Sequence, residues 1–272
     1  MKRPSTIIRG LAGFLLAGIL VSGCEKVIDI DLDEVEKKFV IEANVADDPD
    51  FTQVIITKSK NFDENNTFPG VSGAVVTVTE QGGTPVVFPE VAPGKYQAAG
   101  FAGTPGKNYF LTVSVDGETF TAGSYMPPKV FLDSIYITDE FLFTDTRKIV
   151  NAVYKDPPGR GNNYRFIQRV NGYKEKQIQI LNDDYTDGNT VTSRLFFFSD
   201  EEDSGYINTG DIVDVDLLCI DAAVYKYWFS LFRSALGTSG QATPANPVSN
   251  IQGGALGYFS AHTRHRLTVT VP

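Results

Sequence analysis

The sequence predicts a mainly β protein built as two β-sandwich-like domains, the second carrying one amphipathic α-helix. Three observations lead there. Short runs rich in Val, Ile, Thr, Tyr and Phe recur along the chain at the roughly ten-residue spacing of a sandwich. Turn dipeptides that need positive φ, Asp116-Gly117 and Asn171-Gly172, fall between such runs and mark hairpins. Helical periodicity occurs in one stretch only, near residues 221–236.

Taken in order, the runs FVIEANV, TQVIITKS, SGAVVTVTE, TPVVF, KYQAA, NYFLTVSV and ETFTAG lie within residues 39–126. Glycine- or proline-containing turns at Gly82-Gly83, Pro93-Gly94 and Gly106 separate several of them. This spacing predicts an immunoglobulin-like sandwich, although no Cys-Trp-Cys pattern of the antibody type is present. Two prolines in Met126-Pro127-Pro128 cannot donate to a ladder, so the segment reads as a link between domains. A second domain, 129–272, is predicted from VFLDSIYIT, RKIVNAVY, NYRFIQRV, YKEKQIQIL, TVTSRLFFFS and DIVDVDLLCI. In DAAVYKYWFSLFRSALG, apolar residues at Val224, Tyr227, Trp228, Leu231, Phe232 and Ala235 follow the i, i+3, i+4 rule. Asp221 is placed to cap that helix and Gly237 to end it. The stripe is expected to pack on the protein's own sheet, with Trp228, the only tryptophan, as an anchor. GTSGQATPANPVSNIQGG then reads as a surface loop, and GYFSAHTRHRLTVTV as the closing strand or strands.

The amino-terminal segment has a different logic. Lys2, Arg3 and Arg9 precede an apolar run from Leu11 to Val21, followed by small Ser22 and Gly23. This is the layout of a secretory signal, assigned to residues 1–23. The run is too short to span a bilayer, which takes about 20 apolar residues. Val21-Ser22-Gly23-Cys24 matches the pattern in which a cysteine is acylated and becomes the first mature residue, so Cys24 is the expected lipidation site and membrane lipid the expected partner. Residues 24–38 form an acidic tether in which Ile28, Ile30 and Leu32 alternate with Asp29, Asp31 and Asp33. A short strand and a solvated leash both suit that pattern. Without Lys2, Arg3 and Arg9, 21 basic residues face 33 acidic ones, a net charge of −12. An acidic body argues against nucleic acid, which is held by Lys and Arg on phosphates.

Residues that could carry chemistry are few. His262 and His265, three apart, share a face only on a helix; on a strand they point to opposite sides. No H-E-x-x-H or paired-cysteine pattern supplies a zinc site, no G-x-S-x-G elbow a nucleophile, and no Walker loop a phosphate cradle. Cys219, in VDLLCI, reads as a small core residue. NDDYTDGN departs from calcium-loop spacing at Gly188 and at Ser193, and it and DEEDSG (200–205) read as acidic turns. The expectation is therefore no catalytic residues, no metal and no cofactor.

FVIEANV, VSGAVVTVTE, GKYQA, GKNYFLTVSVDGETFTA, MPPKVFLDSIYI, YKDPPGRGNNYRF and SNIQGGALGYFSA, in that order behind the lipobox, resemble a large Bacteroidota lipoprotein family of unknown function. That family is often encoded beside TonB-dependent receptors. The first half is also similar to the small sandwiches attached to carboxypeptidases and to such receptors, through Gly73 to Val76 and Gly94 to Tyr96. The resemblance implies an outer-membrane, lipid-anchored protein acting, without catalysis, as an accessory or ligand-binding partner of a TonB-dependent transporter. Acidic residues behind Cys24 resemble surface-export signals but lack their tight charge cluster, which leaves both leaflets open. Two alternatives stand beside it: an adhesion or envelope-assembly module binding through the loop 238–254, and a cryptic hydrolase using paired carboxylates.

Overall fold

FVIEANV and the closing GYFSAHTRHRLTVTV, more than 200 residues apart, lie side by side in the computed structural model, which describes residues 36–61, 64–65, 67–142, 145–198, 206–235 and 246–272. The first described strands are β1 (Phe39–Ala46), β2 (Gln53–Lys58), β3 (Val75–Glu80), β4 (Val86–Phe88), β5 (Glu90–Ala92) and β6 (Lys95–Tyr96). The long hairpins β7 (Asn108–Val115) with β8 (Glu118–Tyr125) and β9 (Leu132–Leu142) with β10 (Asp145–Lys155) come next. They are followed by β11 (Asn163–Val170), β12 (Tyr173–Lys174), β13 (Gln179–Asn182), β14 (Thr190–Leu195) and β15 (Ile212–Ile220). Helix α1 (Ala222–Ala235) precedes the last two strands, β16 (Ile251–Gln252) and β17 (Leu256–Thr270).

The fold is mainly β with this one helix among the described residues, as the sequence predicts. Both hairpin dipeptides turn as their chemistry requires: Asp116 and Gly117 at φ 51° and 82°, Asn171 and Gly172 at 49° and 86°. YKEKQIQIL, expected as one strand, is two. The chain leaves the sheet at Glu175, whose buried carboxylate accepts the N–H groups of Gln177 (2.7 Å) and Phe198 (2.6 Å) and so holds the break open.

Three sheets result. The longest runs β12-β11-β15-β17-β1-β2-β6-β5, with β13 also on β11; β16-β8-β7-β3-β4 and β14-β10-β9 form the other two. Along β17, Phe259 and Ala261 point into a core closed by the five-stranded sheet with Val76, Val78, Leu111 and Phe120. On the same side of the same strand, Leu267 and Val269 pack against a second core, in which Phe166 and Leu217 of the long sheet meet Val150 and Ala152 of the three-stranded sheet. Strict alternation puts all four odd-numbered residues on one face. The switch at Met126-Pro127-Pro128 thus separates two hydrophobic cores that share one sheet. Residues 251–261, which the sequence assigns to the second domain, pack in the first core, and Lys37–Pro272 forms one compact unit. A parallel pairing between chain ends leaves no trace in local sequence pattern.

The segment read as a surface loop is also partly structural. Its residues 238–245 lie outside the described part, but Ile251 is buried on β8 through β16. Just before it, Asn250 does the work of a strand with its side chain, accepting from Phe259 N–H (2.9 Å) and donating to the Phe259 carbonyl (2.7 Å). The helix begins as expected: Asp221 Oδ1 accepts the Val224 N–H at 2.8 Å, the bond of an N-cap. Its Oδ2 accepts from Ser124 Oγ (2.5 Å) and the Tyr125 N–H (2.9 Å), so one carboxylate ties the helix start to the end of β8.

Candidate functional site: a basic cleft

With the odd-numbered face of β17 spent on the two cores, Tyr258, His262, Arg264 and Arg266 stand on the other. Neighbouring strands add Leu218 and Asp216 from β15, Arg165, Ile167 and Arg169 from β11, and Glu42 and Asn44 from β1. Helix α1 covers part of this face through Val224, Tyr227 and Trp228. Beside it remains a cleft of about 390 Å³, walled by Trp228 on one side and by Phe51, from the 3-10 turn Pro49–Phe51, on the other. A second hollow of about 460 Å³ adjoins it, the two sharing Arg165, Ile167, Lys174 and Trp228. Both volumes suit a small molecule. A further hollow of about 420 Å³ over β13 and β14 is more apolar and carries one cation, Arg194.

Charge is arranged against the chain's acidic balance. Asp216, 1% exposed, takes Arg169 at 2.6 Å, Arg264 at 2.6 Å and Arg266 at 2.7 and 2.9 Å. Burial alone would raise this carboxyl, but hydrogen bonds from Arg266 and Arg169 and the charge of Arg264 outweigh it and hold its pKa below the ordinary value. Two guanidinium planes rest on aromatic rings: Arg165 at 3.4 Å from the centre of Trp228, and Arg264 at 3.5 Å from that of Phe51. Trp228 is held edge-on by Tyr258 at 5.0 Å and Tyr227 at 5.3 Å. The rings therefore seat the arginines, Arg264 with its amino groups turned to Asp48 (3.3 Å) and Asp216 (2.6 Å). Burial lowers the pKa of Arg165, and burial followed by the nearby charges of Arg165 and Arg169 lowers that of Lys174.

His262 lines the cleft wall, with Nδ1 3.0 Å from Ser260 Oγ. Ser260 is 2% exposed, so this serine–histidine contact has no room for a reacting carbonyl. Burial, with Arg165 and Arg264 adding to it against Asp47, pushes the His262 pKa down to about 4. The sign follows. The folded pKa lies below the free value of 6.5, so the unfolded chain binds the extra proton first and stability is lost as pH falls from about 6.5 toward 4. On the order of 3 kcal/mol is expected to disappear across that window. Urea midpoints measured at pH 7 and pH 4.5 will show it, and His262→Gln will flatten the difference.

The other sequence-predicted residues divide clearly. Cys24 lies outside the described residues, as do 200–205. His265 points away from His262, its Nδ1 accepting the Leu132 N–H at 3.0 Å. Cys219 is buried, takes the Val130 N–H at 3.3 Å, and burial pushes its thiol pKa up. In NDDYTDGN, Asp183 and Asp187 meet Asp156, which the sequence reading passed over, with one oxygen of each within 4.8 Å of the others. They are the described residues that could share a cation. Each already accepts internal donors: Gly161 and Asn162 N–H on Asp183 (both 3.0 Å), Gly159 N–H on Asp187 (2.7 Å), and Gly188 N–H (3.0 Å) and the Tyr164 hydroxyl on Asp156. An acidic turn closed on itself accounts for that geometry.

Of the cleft's residues the sequence points to Trp228, as a core anchor, and to His262, but not to the cations. The signal was there in Asp214/Asp216, Arg165/Arg169 and Arg264/Arg266: charges at even spacing inside strands, on a face neither core nor open surface.

Fold and cleft together define a mainly β body with an open, cation-lined cleft on one sheet face. Residues 25–268 match a family described as a domain of unknown function, DUF4249, and the chain belongs to that family. No protein of curated function matches it.

Proposed function

We propose that this chain is a lipoprotein, anchored at the outer membrane through acylated Cys24, that serves a TonB-dependent transporter as a non-catalytic accessory or ligand-binding partner. The observation that carries the binding role is the cleft beside α1, where buried and aromatic-seated arginines are fixed in place around space for a small molecule. The leader supports the anchor: its charged, apolar and small segments end at Cys24, and the family match begins at the next residue. Three acyl chains hold a hydrophilic body firmly, since each buried methylene adds about 0.8 kcal/mol. In the adhesion reading the binding element is the loop 238–254, yet residues 249–252 are spent on bridging β8 and β17, which favours the cleft.

Affinity purification of the tagged full-length chain from native membranes should recover a receptor barrel, and mass spectrometry of the mature amino terminus should find Cys24 carrying acyl groups. Recovery of no barrel removes the transporter role; an unmodified thiol removes the anchor.

A further inference from the structure

We infer that the corner of the cleft formed by Arg165 and Lys174 binds a small polyanion, a molecule carrying two or more carboxylate or phosphate groups. This deepens the ligand-binding reading above and rests on it. The two residues stand where the adjoining hollows of about 390 and 460 Å³ meet, so a ligand in either reaches both. Three other cations of this face, Arg169, Arg264 and Arg266, share Asp216. By contrast, no carboxylate among the described residues forms an ion pair with Arg165 or Lys174. Two neighbouring cations without an ion-pair partner, one of them half-buried, are costly to hold together, and they stand on a chain whose net charge is −9.

The corner is also shaped for oxyanions. Trp228 takes the flat face of Arg165, leaving the guanidinium edge as a planar fork that matches carboxylate or phosphate bidentately, while Lys174 adds a mobile point charge from the β12 hairpin. Deeper in the cleft, Arg264 Nη2 is buried and has no hydrogen-bond acceptor in line, although its charge lies 2.6 Å from Asp216. Its burial keeps it out of a ligand's reach, so the ligand's anionic groups are left to Arg165 and Lys174. Glu175, the acid nearest in sequence to Lys174, lines the hollow of about 460 Å³, but its carboxylate is engaged by backbone N–H groups. Glu42 is the exposed acid whose charge acts on both Arg165 and Lys174, and it limits how much negative charge the corner accepts. Burial depresses the pKa of Arg165, and burial with the charges of Arg165 and Arg169 that of Lys174; a bound anion would offset both.

Trp228 is the chain's only tryptophan, so its fluorescence reports directly on this corner. The full-length protein in detergent is titrated with citrate and, separately, with pyrophosphate, with sodium chloride at matched ionic strength as reference. A saturable change in emission with Kd below about 1 mM for either probe is expected. The two arms distinguish a carboxylate preference from a phosphate one. Lys174→Gln, at an exposed position that leaves folding intact, should weaken binding about tenfold, Arg165→Gln at least as much, and Glu42→Gln should tighten it a few fold. Emission that follows ionic strength alone, or Lys174→Gln binding as well as the natural protein, overturns the proposal. Because the titration uses no receptor, its failure is distinct from failure of the membrane purification.

Discussion

Replacing Asp216 by alanine is expected to cost about 3 to 5 kcal/mol of stability, the toll of removing one partner from a buried ion cluster. The carboxylate is 1% exposed and is the common counterion of Arg169, Arg264 and Arg266. Without it three guanidiniums, one of them also stacked on Phe51, crowd together, and of the three only Arg264 keeps an ion pair, with Asp48 at 3.3 Å. Asp214, two residues earlier on the same strand face, accepts the Thr268 hydroxyl at 2.5 Å and has no such role. Asp214→Ala should therefore lose only about 1 kcal/mol. Chemical denaturation of the two variants beside the natural protein checks this, and equal losses would show that the arginines find other partners. The pH dependence has a definite sign. The folded Asp216 pKa is depressed, so its contribution is complete above the free aspartate value of about 3.9 and is lost as pH falls below it. It thus adds a second acid-labile step below the one that His262 produces between 6.5 and 4.

Gly257→Ala should be comparably damaging, at least about 3 kcal/mol, for a steric reason. Gly257 has φ +98°, where an L side chain costs about 1 to 3 kcal/mol. A Cβ built there would also meet the Ile41 carbonyl oxygen at 2.0 Å and its carbon at 2.8 Å, backbone atoms of the paired strand that cannot step aside. Gly254 is the internal control: its φ is +90°, but nothing lies within 4 Å of its added Cβ. Gly254→Ala should show the conformational cost alone, and the difference between the two thermal unfolding shifts measures how closely β1 and β17 must approach. If the two variants melt together, the close approach is relaxed in solution.

What the sequence revealed and what it concealed follow from the range of each signal. Alternation and turn chemistry are local, so NYFLTVSV and NYRFIQRV appear with their predicted bounds, and the helix within a residue at each end of 221–236. Asp221 could be read as a cap because a cap is a local event; that its second oxygen grips Ser124, 97 residues away, could not. The split of YKEKQIQIL depends on Glu175 reaching Phe198, again a distant partner. The same limit hid the site. Arg165, Asp216 and Arg264 sit on three strands brought together only by pairing of β11, β15 and β17. In sequence the eye goes to the histidines of SAHTRHRL, while the arginines beside them carry the charge of the cleft.

The strand that serves both cores lies late in the chain, after every other described strand. A nascent chain has β1 and β2 early, but β1 lacks its parallel neighbour, and β15 the second of its two antiparallel ones, until residues 256–270 exist. Closing a loop of that length carries a large entropic delay, and such distant pairings fold slowly. Neither sandwich can shut until residues 256–270 are in place. A product cut short before residue 256 would have two unfinished cores at once, and quality control would meet it as one failure.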